Sequence, residues 1–529
     1  MSEHIYNKEE IIEKLEGILN KTLEEIDNKG IFNHILTNNI TKQKGIAGTI
    51  IEQCVMNYPP DTKQKPDITV IDSEKSIPTE LKVTGMSMDK KTGKQYVAKE
   101  TISITAVGVY TLAEQTFETS HFWAKLEHLL LVYYLYESNK ANKSVTAYEY
   151  KDFHVKGYEF HEFNDSDKET LKKDWTYVHD FVANVVRNHD NNVKNSMEWK
   201  EAIKKEYVDR HAALRDVLSY INLAPEFPPR FRLKQSVVNT IISNHFGYAL
   251  EQLPGRYTTV SEIDKKCEEL EELYKGKTIA ELAEQFNISL AENKAIAEQI
   301  VIKMFGGNSK RLNQIELFAK FGLIAKSITV TPKGTRTEDM KLFHIDFDEM
   351  MTETIVDDDT GEIRPFQFED SELYMYFADH EFLCIVYEEP EKEYIKKDGK
   401  RIEQKHSLSL NKFVGFQRIV FSEEFLNEDV RKVWEDTRNK IKNNLLKDVP
   451  VIRKDGTPVT IGNGEVSSAP NFIKCVENPV FIRGGGIDSS SEHKTECVNG
   501  IKMLPQFIWI KGKAICQMLT KLSKPKKKK

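Results

Sequence analysis

The chain has 529 residues, of which 40% are hydrophobic and 30% are charged, and its formal net charge at pH 7 is −7. No apolar run approaches the roughly 18 residues that a membrane-spanning helix needs, so the composition excludes a membrane protein and indicates two to four globular domains. The acidic balance excludes a globally basic, histone-like DNA binder, but it is compatible with a local basic cleft.

The N-terminal segment and the cysteines predict where the protein works. The first 19 residues, MSEHIYNKEEIIEKLEGIL, form an amphipathic helical pattern with charges throughout, without the apolar core of a secretory signal. The six cysteines include no CxxC pair, which argues against a zinc ribbon and against a disulfide framework. We therefore expect a cytoplasmic protein.

A helix with glycines along one face is predicted next, at KGIAGTIIEQCV (44–55). Gly45 and Gly48 lie three residues apart on one side of this helix, and Glu52 lies one turn further along the same side. Small residues allow another backbone, of protein or DNA, to approach closely. Glu52 can then join any acidic cluster that follows.

The stretch PDITVIDSEKSIPTELKV (66–83) predicts a β-hairpin. Side chains alternate along a strand, so Glu80 and Lys82 share one face, Leu81 points to the core, and Asp67 begins the partner strand beside Glu80. Two carboxylates and an ammonium would suit Mg²⁺ and a phosphodiester substrate. Taken alone, this permissive pattern is more typical of an exposed strand with alternating charge.

Short blocks of sequence recur once, in the same order, about 250 residues apart, which predicts two copies of one α/β domain. The recurring pairs are KTLEEI and KTIAEL, KGIAGTII and KAIAEQIV, FETSHFWAKLEHLLLVYY and FEDSELYMYFADHEFLCIVYEE, LKKDW and VRKVW, and PRFRLKQSVVNTII and LPQFIWIKGKAICQML. The predicted division is a first copy at 1–255, an exposed helical connector at 256–276, a second copy at 277–520, and a basic tail at 521–529.

Several of these motifs together resemble the MutH/Sau family of GATC-specific endonucleases. The matching segments are KGIAGTIIE (44–52), PDI (66–68), TELKV (79–83), FETSHFWAKLEHLL (117–130) and KKDW (172–175). The resemblance implies the mixed α/β restriction-endonuclease fold with a PD-(D/E)xK site, present as two tandem domains of which the second is degenerate. It also implies a bacterial or phage-encoded protein.

The resemblance implies a catalytic set of Glu52, Asp67, Glu80 and Lys82. Asp67 and Glu80 would be Mg²⁺ ligands together with the backbone carbonyl of Leu81. Lys82 would orient the attacking water, and Glu52 would be an auxiliary acid.

The second copy has lost the acids of this set. In the alignment of the two copies, Ile302 stands opposite Glu52. The stretch GLIAKSITV (322–330) is predicted to be the hairpin of the second copy, and in it Ile324 stands opposite Glu80 whereas Lys326 matches Lys82. No Asp occurs between Ile302 and Ile324. Without carboxylates this copy cannot hold Mg²⁺ as the first can, so we predict that it binds DNA without cutting.

Basic residues along the chain are predicted to contact DNA. Arg483 lies in NPVFIRGGGIDSSSEHKTE (478–496), which resembles the family's recognition loop, and its guanidinium could bond guanine or phosphate. A Gly-rich surface loop with one exposed Arg is the alternative. The full predicted set of contacts is Lys44, Lys90, Lys91, Lys94, His121, Lys125, Arg230, Arg232, Lys234, Arg483 and Lys511.

The sequence therefore predicts a Mg²⁺-dependent type II restriction endonuclease that cleaves double-stranded DNA, with GATC as the expected site. The second copy would bind a further, effector DNA site. A transient homodimer on DNA and a cognate methyltransferase are the implied partners. The alternatives are a MutH-like mismatch-repair nickase and a non-catalytic DNA-binding protein.

Overall fold

The structure is a computed structural model. It describes residues 4–38, 45–59, 65–89, 94–136, 146–191, 193–224, 227–248, 250–290, 295–336, 338–356, 363–397, 400–404, 406–453, 455–462 and 464–519. Within these ranges, no helix combines the length and the apolar character that crossing a membrane requires.

The elements of the first copy alternate between helices and strands. Its strands are β1 (Ile5–Asn7), β2 (Ile68–Asp72), β3 (Lys75–Met88), β4 (Tyr96–Ala98), β5 (Ile102–Ala106), β6 (Leu129–Leu135), β7 (His154–His161), β8 (Ile221–Leu223) and β9 (Arg230–Leu233). Its helices are α1 (Lys8–Glu16), α2 (Leu23–Ile26), α3 (Ile31–Thr37), α4 (Ile46–Ile50), α5 (His121–Leu126), α6 (Asp165–Arg187), α7 (Met197–Arg210) and α8 (Gln235–His245).

The main sheet of the first copy has the order β1-β2-β3-β6-β7. Strands β2 and β3 are antiparallel, β3 and β6 are parallel, and β6 and β7 are antiparallel. The sequence of β6, LLLVYYL, is buried at every position. A continuous apolar run is what a strand covered on both faces requires, and it places β6 at the centre of the fold. Strands β5, β9 and β8 form a second, antiparallel sheet.

The second copy has its own set of elements. Its strands are β10 (Leu323–Val330), β11 (Met340–His344), β12 (Thr354–Val356), β13 (Ile363–Pro365), β14 (Glu381–Glu388), β15 (Glu393–Lys397), β16 (Lys400–Gln404), β17 (Lys412–Ile419), β18 (Asp448–Pro450), β19 (Ser468–Pro470), β20 (Val480–Gly484), β21 (Glu496–Val498), β22 (Ile501–Met503) and β23 (Gln506–Ile510). The helices that follow the first copy are α9 (Val260–Tyr274), α10 (Ile279–Gln285), α11 (Ala295–Met304), α12 (Glu316–Lys320), α13 (Phe347–Met350), α14 (Glu372–Asp379), α15 (Arg431–Lys442) and α16 (Gly512–Met518).

The second copy repeats the topology of the first. The sheet β10-β14-β17 has the same parallel and antiparallel pairs as β3-β6-β7, and β11-β23-β20 has the same order as β5-β9-β8. Even a local irregularity recurs, because the register shifts between Tyr133 and Tyr134 in one copy and between Val386 and Tyr387 in the other. These observations confirm a mixed α/β fold built from two tandem copies.

Two expectations about the second copy are wrong in detail. GLIAKSITV (322–330) is not a hairpin, because β10 pairs only with β14 among the described residues, and the short helix α12 precedes it where the first copy has β2. The helix α9, expected to be exposed, buries Ile263 and Leu270, and the Glu271 carboxylate accepts the Phe416 backbone N–H at 2.6 Å.

The two copies share a core. Apolar side chains of α6 and α8 from the first copy pack in the same cluster as those of α9, α10 and α11, between the two main sheets. Buried ion pairs cross the same boundary: Lys320 contacts Asp167 at 2.6 Å, and Lys234 contacts Glu381 at 3.4 Å. The predicted boundary near residue 255 therefore separates two repeats of the sequence. In the folded protein these two repeats pack together as one unit.

Candidate active site

A tight hairpin turn fixes which residues of β2 and β3 face each other. Asp72 pairs with Lys75, and the two residues between them, Ser73 and Glu74, both have positive φ (49° and 70°). Positive φ at both central residues is the geometry of a type I′ turn, whose twist matches that of the flanking strands. The register that follows places Ile68 opposite Thr79 at the far end of the hairpin.

This register brings Asp67 and Glu80 to the same end of the hairpin. Asp67 precedes Ile68, and its Oδ2 atom accepts the backbone N–H of Leu81 at 3.0 Å. Glu80 is 1% exposed. The N–H and C=O of one strand residue point to the same edge, so the Leu81 carbonyl faces the side on which Asp67 lies.

Two ammonium groups share the Glu80 carboxylate. The Nζ atoms of Lys82 and Lys125 each lie 2.9 Å from Glu80 Oε1. The other oxygen, Oε2, is buried and has no hydrogen-bond partner within the described part of the chain. Because buried polar atoms are nearly always bonded, this oxygen indicates a position where an ion or water belongs.

The charged groups of the cluster shift one another's pKa values. Burial, and after it the neighbouring Glu80 carboxylate, raise the pKa of Asp67 to about 6 against the opposing effect of Lys82. Burial alone would lower the pKa of Lys82, but Glu80, Asp67 and Glu52 outweigh it and raise that pKa. Lys82 therefore stays an ammonium, and Glu52 lies close enough to act on it.

Glu52 comes from an irregular helix. Directly after α4 the backbone forms a π-helical turn at Ile51–Val55, a feature that is frequent at functional sites. Ile50 and Ile51 are buried, whereas Glu52 is partly exposed on the side of the acidic cluster. The Glu52 carboxylate is not isolated there, because its charge acts on the Lys82 ammonium.

The donor set fits a magnesium ion. Asp67, Glu80 and the Leu81 carbonyl offer only hard oxygen atoms, and the orphaned Glu80 Oε2 is already free of protein hydrogen bonds among the described residues. No three or more His, Cys, Asp or Glu side chains in those ranges converge as a protein-only metal cage. Mg²⁺ commonly takes one or two carboxylates and completes its shell with waters and substrate phosphates, so the absence of a cage is compatible with it.

The strand registers agree with the sequence alignment of the two copies. Glu80 pairs with Leu129 in the first copy, and Ile324 pairs with Phe382 in the second. Leu129 and Phe382 each lie five residues before the tyrosine at the shared register shift, so Ile324 occupies the position of Glu80. The matching Lys326 lies over the Phe382 ring, 5.0 Å from its centroid.

Burial and ion pairing argue against two of the predicted DNA contacts. Lys125 is 8% exposed and is bound to Glu80, so it belongs to the acidic cluster. Lys234 is 4% exposed and lies between the copies, where it donates to the Leu218 carbonyl at 2.7 Å and contacts Glu381. Sequence patterns could not show this, because both lysines occur next to apolar residues whose packing partners are distant in sequence.

The other predicted contacts of the first copy have mixed surroundings. The side chains of His121 and Lys94 are exposed to solvent, although Lys94 also interacts with other groups of the protein. Arg230 donates to Ser103 Oγ and Arg232 to Asn222 Oδ1, both at 3.1 Å. Three further predicted contacts lie outside the described residues, namely Lys44, Lys90 and Lys91.

In the second copy, Arg483 lies on an aromatic surface. Its guanidinium carbon is 4.8 Å from the Phe481 ring centroid and 5.0 Å from that of Trp509, and Nη2 contacts Asp339 at 2.8 Å. On the same sheet, the Lys341 ammonium lies over the Phe507 ring. Lys511 is partly exposed at the end of β23.

The part of the first copy that holds Asp67, Glu80 and Lys82 is similar to a nuclease domain. Residues 56–174 match the family model described as DNA mismatch repair enzyme MutH. The chain is also 26% identical over 468 residues, covering 83% of each chain, to the type II restriction enzyme Sau3AI of Staphylococcus aureus. The resemblance to the MutH/Sau-type restriction endonucleases is thereby confirmed.

Proposed function

We propose that this protein is a Mg²⁺-dependent type II restriction endonuclease that cleaves double-stranded DNA, with GATC as the site. The observation that carries the proposal is the cluster of Asp67, Glu80 and Lys82 within the segment that matches the MutH family. Similarity to a restriction enzyme extends through both copies, which favours restriction over a mismatch-repair nickase.

Asp67, Glu80 and the Leu81 carbonyl would hold the metal ion. When bound, Mg²⁺ supplies Lewis-acid activation of the scissile phosphate and of the attacking water. The Lys82 ammonium, held by Glu80, is placed to orient that water and to offset charge on the phosphate in the transition state. In-line attack breaks the P–O3′ bond and leaves a 5′-phosphate and a 3′-hydroxyl.

The second copy is proposed to bind a further DNA site without cutting it. Ile302 and Ile324 replace the acids, so the chemistry is lost there, whereas the sheet with Arg483 and Lys341 carries exposed cations on aromatic rings. A stacked guanidinium is held in a fixed orientation, which suits bidentate bonding to guanine or phosphate.

One experiment tests the activity directly. The purified protein is incubated with phage DNA and Mg²⁺, and the ends of the fragments are sequenced. Double-strand ends at GATC with 5′-phosphates are the expected result. Nicks without breaks would favour the mismatch-repair alternative, and intact DNA that is nevertheless bound would favour the non-catalytic one.

Arg483→Ala is expected to remove the response to a second site. If Arg483 contacts effector DNA, the wild-type protein cleaves a two-site plasmid faster than a one-site plasmid, and the variant cleaves both at the one-site rate. Loss of one good guanidinium contact costs about 1–3 kcal/mol of binding, or roughly 5- to 150-fold in affinity. Lys502→Ala, at an exposed lysine on β22, is the control and should behave as wild type. An unchanged two-site preference in Arg483→Ala would contradict the assignment.

Lys125→Met is expected to slow cleavage by about 10- to 100-fold, because groups that orient metal ligands typically contribute that much. DNA affinity, measured with Ca²⁺ in place of Mg²⁺, should change little since the Lys125 ammonium is turned to Glu80. His121→Ala, at an exposed residue of the same helix, is the contrasting variant and should weaken DNA binding instead. A loss of affinity in Lys125→Met with normal cleavage at saturating protein would return Lys125 to the DNA contacts.

A further inference from the structure

Tyr58 is held rigidly beside the acidic cluster. It follows the π-helical turn, and its backbone N–H donates to the Glu52 carbonyl at 3.1 Å. The side chain is 5% exposed, and its ring stacks on His4 with 4.7 Å between centroids and 24° between planes. The backbone of Tyr58 is thus bonded to that of Glu52, and its ring packs on the residue that directly precedes β1.

The Tyr58 hydroxyl is buried and has no hydrogen-bond partner among the residues that the structure describes. Glu80 Oε2 is an unpartnered acceptor in the same site. Burial raises the pKa of Tyr58 well above its usual value, and the carboxylates of Glu52, Asp67 and Glu80 raise it further. The phenol therefore stays protonated, and its hydroxyl is, within the described ranges, a free hydrogen-bond donor in reach of the charges of these three acids.

The second copy lost this tyrosine together with the acids. Tyr58 lies six residues after Glu52, and the residue six positions after Ile302 is Asn308. The Asn308 backbone N–H donates to Glu251 instead of to the preceding helix. The second copy therefore keeps neither the carboxylates nor the tyrosine, as expected if Tyr58 serves the acidic cluster of the first copy.

We propose that Tyr58 is a positioning residue of the cleavage site, whose hydroxyl donates a hydrogen bond to a water that Glu80 Oε2 accepts from, beside Asp67. Through this water it orders the shell that the metal ion and the substrate phosphate share. The inference rests on the proposed function. A buried water typically makes two to four hydrogen bonds to buried polar groups that otherwise lack partners, and the phenol and Glu80 Oε2 supply a donor and an acceptor for it.

Tyr58→Phe in the full-length protein tests the proposal with three measurements. Calorimetric titration with Mn²⁺ is expected to show about 10-fold weaker binding, and the Mg²⁺ concentration that gives half-maximal cleavage should rise by a similar factor. The unfolding temperature without metal should be equal or higher, because the variant removes a buried hydroxyl that lacks a protein partner among the described residues.

Tyr207→Phe is the matched control. Tyr207 is also buried, its hydroxyl also lacks a partner in the described part of the chain, and its ring also stacks on a histidine, His211. Burial alone raises its pKa, without any facing carboxylate. This variant should keep wild-type Mn²⁺ affinity and cleavage.

The outcomes separate the two proposals. If Tyr58→Phe matches Tyr207→Phe in Mn²⁺ affinity and in the Mg²⁺ dependence of cleavage, the role of Tyr58 is overturned while wild-type cleavage still supports the enzyme. If the wild-type protein neither binds Mn²⁺ nor cuts DNA, the proposed function itself fails. Weaker Mn²⁺ binding in Tyr58→Phe alone, with the fold intact, supports the positioning role.

Discussion

Asp67→Asn is expected to reduce DNA cleavage by a factor of about 10³ or more while leaving the protein at least as stable as wild type. A metal ion contributes several kcal/mol to transition-state stabilisation, and each 1.36 kcal/mol is a factor of ten in rate. The amide that replaces the Asp67 carboxylate is a far poorer ligand for Mg²⁺ and brings no charge to balance the ion.

The expected stability follows from the surroundings of Asp67. Its carboxylate is partly buried next to that of Glu80, and this arrangement raises its pKa to about 6. Replacement by Asn relieves the repulsion between two buried acids, and the amide oxygen can still accept the Leu81 N–H. Replacing a functional residue that destabilises the folded protein commonly raises its stability.

Plasmid cleavage with Mg²⁺ and thermal unfolding without it are the two measurements for Asp67→Asn. Asp72→Asn is the control, because Asp72 lies at the other end of β2 and contacts the surface residue Lys8. The control should cleave DNA at the wild-type rate. Cleavage by Asp67→Asn within tenfold of wild type would show that the metal ligands lie elsewhere.

Lys320→Met is expected to lower the free energy of unfolding by about 3–5 kcal/mol, the usual cost of removing one partner of a buried ion pair. The Lys320 ammonium lies between the two copies, 2.6 Å from Asp167 and over the Tyr220 ring. Both charged side chains are less than one tenth exposed. The variant leaves the Asp167 carboxylate buried with fewer partners.

A double-mutant cycle measures this contact. Asp167→Asn combined with Lys320→Met should recover part of the stability that Lys320→Met loses, because the uncompensated charge is gone. Denaturant unfolding of the full-length variants supplies the free energies. Lys266→Met, which breaks an exposed pair with Glu269, should cost well under 1 kcal/mol. Additive effects of Asp167→Asn and Lys320→Met would contradict a buried pair across the copies.

The parts of the site that lie on one hairpin could be predicted from the sequence. A period of two residues places Glu80 and Lys82 on one face, and the predicted hairpin brings Asp67 beside Glu80; that its turn has only two residues became clear from the structure. The same rule located Ile324 opposite Glu80, since strand spacing survived the loss of the acids. Which of these residues take part in catalysis stays a prediction that the variants above test.

Contacts between distant elements could not be predicted. The ammonium of Lys125, a helix residue, contacts Glu80 on a strand 45 positions earlier in the chain. Lys234 lies at the start of a helix, and its ammonium contacts Glu381 in the other copy. Their side chains look like surface cations in sequence, because nothing local shows which face of an element another copy will cover. The helix α12 in place of a second hairpin is a similar case, as Glu316–Lys320 is apolar enough for either structure.

The core shared by the two copies has a thermodynamic consequence. The largest apolar cluster includes both repeats, so melting one repeat would expose apolar surface of the other, and we expect the two repeats to unfold together. If each repeat binds DNA as proposed, the free energy gained at either site is therefore distributed over the entire molecule and is expected to appear as a rise of one melting transition. Occupancy of one DNA site then becomes measurable from any probe placed in the opposite repeat.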